Sequence, residues 1–141
     1  MNLTKLIAPL AVSALTAFAV TGCSGSVTAG ATITPTPTDG TLSVLFTIAG
    51  ASAPVQCATY NVDHLELVVL DTSGVPFTTV NANCEDFALS VTLPPGIYDA
   101  DATLVDAAGR TASDTLPINN LNIVAGTTLT SDIDFPAGSI H

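Results

Sequence analysis

Residues 62–80 read VDHLELVVLDTSGVPFTTV, and this stretch decides the fold. Leu65, Leu67 and Val69 alternate with His64, Glu66 and Val68, the period of a strand with one buried face. Asp71, Thr72, Ser73 and Gly74 then supply turn chemistry, and Val75 to Val80 can pair back as a hairpin. The same grammar repeats on either side. Thr41 to Ala49 is rich in β-branched and apolar types. Phe87, Leu89, Val91 and Leu93 alternate with Ala88, Ser90 and Thr92. Ile97 to Asp106 follows a Pro94-Pro95-Gly96 break, and Ala107-Ala108-Gly109 leads to a run from Arg110 to Ile118. Leu121 to Val124 is short, and Ala125-Gly126 leads into Thr127 to Phe135. Seven or eight such runs, with no amphipathic helix, predict an all-β fold: one antiparallel sandwich of about seven strands over residues 41–136, with 137–141 as a C-terminal tail.

The chain has 141 residues, 48% of them hydrophobic, and a net charge of −10 from twelve acidic and two basic side chains. That length holds one domain. Two cations, Lys5 and Arg110, are too few to displace counterions from a nucleic acid or to form a polybasic membrane patch. The apolar fraction is too high for a disordered acidic chain.

The amino terminus reads as an address. Lys5 precedes fifteen uncharged residues, LIAPLAVSALTAFAV, a run too short for a membrane span. A charged start, a short apolar centre and small residues at the end describe a secretory signal peptide over residues 1–22. Val20-Thr21-Gly22-Cys23 resembles the lipobox of bacterial lipoproteins. The resemblance implies cleavage before Cys23, a diacylglyceryl group on its sulfur, and a chain held in the bacterial cell envelope by lipid. Ser24, being other than aspartate, points to the outer membrane under the sorting rule of some such lipoproteins. The alternative is an ordinary secreted protein with a cysteine after small residues. Residues 24–40, SGSVTAGATITPTPTDG, hold little that can pack, and Pro35 and Pro37 favour extended backbone. With Cys23 they form a tether that reaches roughly 50 Å when fully extended.

With Cys23 lipidated, Cys57 and Cys84 remain, and an oxidising compartment favours a disulfide between them. A two-thiolate metal site is the alternative, without the close spacing or further ligands that zinc wants. Tyr98, entering a strand after Pro94-Pro95-Gly96, suits a tyrosine corner, against the plainer reading of a half-buried strand aromatic. The segment LPPGIYDADATLVDAAGR and the final strand resemble exported bacterial sandwich modules of the transthyretin-like or carboxypeptidase-regulatory-like kind. The placement of Cys57 and Cys84 around the 62–80 hairpin is similar to small lipoproteins with such a domain. That resemblance implies a scaffolding, adhesion or accessory role, with an envelope or surface protein as partner, and it carries no catalytic residue over.

Candidate chemistry is thin. Asp71-Thr72-Ser73-Gly74 differs from the Asp-Thr-Gly loop of aspartic proteases, and no second copy supplies a partner carboxylate. His64 is the one histidine inside the domain, no Gly-x-Ser-x-Gly elbow accompanies it, and with Glu66 it offers a metal only two ligands. No enzyme, small-molecule substrate or resident cofactor is expected. Asp99 and Asp101, and again Asp132 and Asp134, each share a strand face. Were those strands neighbours, four carboxylates could bind Ca²⁺ or a cationic ligand, although no calcium-loop motif is present and a solvated polar face explains them equally. Carbohydrate binding would need exposed aromatics that the core requires.

Overall fold

The computed structural model describes residue 36 and residues 38–141. The expected signal peptide at 1–22, Cys23 and nearly all of the expected 23–40 tether lie outside the described residues. Seven strands form two facing sheets. They are β1 (Gly40–Ile48), β2 (His64–Leu70), β3 (Pro76–Asn83), β4 (Ala88–Leu93), β5 (Gly96–Val105), β6 (Leu116–Ile123) and β7 (Thr128–Phe135). One sheet has the order β4-β1-β7 and the other β3-β2-β5-β6. The expected all-β sandwich is what forms.

Alternation explains which side of each strand faces in. Leu42, Val44, Phe46 and Ile48 of β1 are buried, and so are Leu65, Leu67 and Val69 of β2. Register aligns Leu67 with Val80 on β3 and Ala102 on β5, so large and small side chains share one inner row. Phe46 packs against Phe87 at 5.3 Å between ring centroids and edge-on to Phe135 at 6.5 Å.

The sandwich is not wholly antiparallel. β1 pairs with β4 antiparallel but with β7 parallel, Thr41 opposite Thr128 and Ile48 opposite Phe135. Each strand reverses the direction of the one before it, so all odd-numbered strands run the same way. When the first and seventh become neighbours they must be parallel. A parallel pair needs a long crossover, and here the other five strands provide it.

Three local readings also change. The runs at Arg110–Ile118 and Leu121–Val124 are not two strands; β6 is one strand from Leu116 to Ile123, with a register break opposite Tyr98 and Ala100. Residues 111–115 lie against β5 instead, where the Ser113 hydroxyl accepts the buried Leu104 N–H at 3.0 Å. A short helix, α1 (Pro54–Thr59), does form, started by its proline and burying only Cys57. Residues 137–141, expected as a tail, are built into the domain. Ile140 bridges Ser113, and the His141 N–H donates to the Ala112 carbonyl at 3.0 Å.

Cys57 on α1 and Cys84 in the 3-10 turn Cys84–Asp86 are joined by a disulfide across 27 residues of sequence. Without it α1 has only one buried side chain to hold it. The chain-entropy relation assigns a loop of this length about 3–4 kcal/mol. The double variant Cys57→Ser/Cys84→Ser is therefore expected to lose about 3–4 kcal/mol in urea unfolding. The loss should match that of the reduced wild-type domain, and equal stability of oxidised and reduced forms would refute the assignment.

Candidate functional site

The strand directions place every loop at one of two ends. The entry end holds Gly40 together with the β2–β3, β4–β5 and β6–β7 connections. The far end holds α1, the disulfide, the β5–β6 connection and residues 136–141. Each sequence-derived candidate falls on one end or on an outer sheet face.

At the entry end the Tyr98 hydroxyl donates to the Pro94 carbonyl at 3.1 Å, the bond of a tyrosine corner. A Cβ on Gly96 would stand 3.3 Å from the Tyr98 ring, so the glycine makes room for it. Removing that hydroxyl in Tyr98→Phe is expected to cost about 1 kcal/mol.

The two acidic pairs do not meet. Asp99 and Asp101 stand on β5 in the four-stranded sheet, and Asp132 and Asp134 on β7 in the three-stranded one. Two of the four have local duties. Asp99 accepts the N–H of Asn120 at 2.8 Å, where Asn120 takes a φ of 60° at the irregular part of β6. Asp134 accepts the Thr47 hydroxyl at 2.6 Å and the Gly50 N–H at 2.8 Å, closing the turn in which Ala49 and Gly50 both have positive φ. Among the described residues, no cluster of three His, Cys, Asp or Glu side chains is placed to hold a metal ion. His64 Nδ1 lies 2.9 Å from the Asp63 carboxylate rather than beside a nucleophile.

Two further aspartates shape loops in the same way. Asp71 accepts the N–H groups of Ser73 and Val75, and Asp106 those of Ala108 and Arg110. In both loops the fourth residue is a glycine with φ near 75°, Gly74 and Gly109. The spacing Asp-x-x-Gly marks both turns in the sequence. Asp106 goes further. Its other oxygen receives the Arg110 Nε at 2.8 Å and lies 2.6 Å from Nη2. The Arg110 N–H, and then its guanidinium, hold the Asp106 carboxyl below the ordinary carboxylate value against the opposing effect of burial. A carboxyl depressed in the folded state stabilises the fold above its unfolded pKa, and the benefit is lost as pH falls through the folded value. Asp106→Asn is thus expected to lower the urea midpoint at pH 7 and to narrow that deficit progressively below about pH 4. A deficit that does not change with pH would refute the ion pair's part.

One concavity was not legible in the sequence. It is an open cleft of about 520 Å³ toward the far end of the three-stranded sheet. Its lining includes Leu45, Phe87 and Ile133 together with Asp86, Asp132 and Asp134. Residues from β1, β7 and the turn before β4 are joined there by register, Leu45 being paired with both Ala88 and Asp132. Phe87 reaches it from a backbone with φ of 49°, an uncommon conformation for a bulky residue. Leu45 is exposed in the middle of an otherwise hydroxyl-rich face made by Thr41, Ser43, Ser90 and Thr130. An apolar lining with three carboxylates suits a partner segment that combines apolar and cationic groups.

No protein-family model and no curated protein matches the chain. Among solved structures it is similar to a leucine-rich repeat protein from Bacteroides thetaiotaomicron VPI-5482, with 15% identity and a TM-score of 0.47 over 71% of this chain. It is also similar to a candidate polysaccharide-binding protein from the same organism, with 16% identity and a TM-score of 0.40 over 66% of this chain. The chain spans 12% of the first protein and 46% of the second.

Proposed function

We propose that the chain is a non-enzymatic lipoprotein of the bacterial cell envelope, a tethered β-sandwich that offers its far end to a protein partner. The observation that carries the interaction role is the position of the cleft. It lies toward the end of the domain opposite Gly40, so a chain anchored through its amino-terminal segment presents it away from the anchor. The lipobox-like Val20-Thr21-Gly22-Cys23 supports the anchor, and the disulfide suits an oxidising compartment. The non-enzymatic reading draws support from the chemistry already committed. Both domain cysteines are paired with each other, and His64 is paired with Asp63.

Expression of the full chain in a lipoprotein-processing bacterium with a labelled fatty acid tests the anchor. Label and membrane fractionation are expected for the wild type and neither for Cys23→Ser; an unlabelled wild-type chain overturns the anchor. A photo-reactive amino acid at Leu45 tests the cleft. It should yield a discrete crosslinked product that Asp132→Lys abolishes, whereas the same group at Asn122 should yield none. Equal products at both positions would remove the cleft from the reading. A Ca²⁺-dependent rise in melting temperature, lost in Asp132→Asn/Asp134→Asn, would replace the protein partner with a cation.

A further inference from the structure

Large apolar side chains exposed on this domain are unevenly placed. Leu45 lines the cleft, and Val55 stands on α1 at the far end. The others, Val75, Phe77, Ile97 and Val124, are between 49% and 56% exposed and all belong to the entry end. Strand order sets them along this end. Leu70 pairs with Pro76 and with Asp99, and Ile97 pairs with Asn122, two residues before Val124. Across the order β3-β2-β5-β6 they therefore run from Val75 and Phe77 through Ile97 to Val124. Phe77 is braced by Tyr98, their ring centroids 5.5 Å apart.

We infer that this end of the sandwich is a lipid-facing surface, which rests on a zwitterionic bilayer through Val75, Phe77, Ile97 and Val124; the inference rests on the lipid anchor proposed above. Three features select a bilayer as the occupant. Gly40, where the segment from Cys23 enters the domain, lies at this same end. Sixteen residues lie between the two positions, so these side chains are the part of the domain brought back to the membrane at high effective concentration.

The second feature is the polar backbone. A surface that leaves water must satisfy its own N–H and C=O groups. Pro76, Pro94 and Pro95 have no N–H to leave unpaired. Asp71 accepts the N–H groups of Ser73 and Val75, and the Tyr98 hydroxyl donates to the Pro94 carbonyl. Thr127 donates twice to the Val124 carbonyl, and the Gly126 N–H donates to the Asp39 carbonyl.

The third is charge. Arg110, His64 and His141, the basic side chains of the described residues, are all at the other end. Nothing among these side chains attracts an anionic headgroup, and a chain of net charge −10 is repelled by anionic lipid. Contact then rests on apolar insertion, and a neutral bilayer is the surface that permits it.

The chain contains no tryptophan, so one introduced indole reports alone. Acylated full-length Phe77→Trp and Val55→Trp are reconstituted into phosphatidylcholine vesicles containing brominated acyl chains, with Ile97→Trp as a second reporter should Phe77→Trp unfold. Both proteins should float with the vesicles. About twofold quenching is expected for the indole at 77 or 97 and none for that at 55, because shallowly inserted side chains reach the acyl boundary. Replacing half of the lipid with phosphatidylglycerol at low salt should weaken the quenching. Flotation with no quenching, or with equal quenching at both ends, overturns the docking while leaving the anchor intact. A blue shift at 77 that depends on protein concentration, without quenching, overturns it in favour of a second copy of this chain. Failure to float overturns the anchor, and the docking with it.

Discussion

The domain depends on β1 being bonded on both sides while one of its faces is wholly buried. Leu42, Val44 and Ile48 are 0% exposed and Phe46 2%, a row of four consecutive inward side chains with no polar interruption. Slipping the strand by one residue would put Thr41, Ser43, Leu45 and Thr47 in the core and the apolar row in water. No neighbour could compensate, because β4 and β7 take their register from this strand. The four-stranded sheet needs the same row as its lid. Leu65, Leu67, Val69 and Leu104 are fully buried only because a second layer faces them.

The distribution of carboxylates follows a different economy. With one arginine among the described residues, aspartates cannot be satisfied by ion pairs, and only Asp106 has a guanidinium partner. Asp71, Asp99 and Asp134 are satisfied by backbone N–H groups or a hydroxyl. Such bonds are local, and they fix turns at which Gly50, Gly74 and Asn120 hold positive φ. An acidic protein of this kind uses negative charge as loop geometry.

Period-two patterns carried most of the architecture because side-chain alternation is a property of each strand alone. The inward rows of β2 and β4 and the turn at Asp71 can be read without knowing a neighbour. The parallel pairing of β1 with β7 cannot be read that way, since it follows from which strands become adjacent. The disulfide was accessible through cysteine number and compartment. The cleft was not, because Leu45, Asp86 and Asp132 lie on three separate segments and become one site only through register. The supposed meeting of Asp99 and Asp101 with Asp132 and Asp134 failed for the same reason: i and i+2 spacing gives a shared face, but not which sheet that face belongs to.

An odd number of strictly alternating strands makes the domain a spacer. The chain enters at one end and, after seven passes, reaches residue 141 at the other. Anything fused behind that residue leaves from the far end, a full strand length from the entry loops. With ten residues in β5 and about 3.3 Å of rise per residue, that is a stand-off of roughly 30 Å. A reporter or a binding domain placed there would stand outermost, with the sandwich as a rigid post beneath it. An eight-stranded relative would return it to the entry end instead.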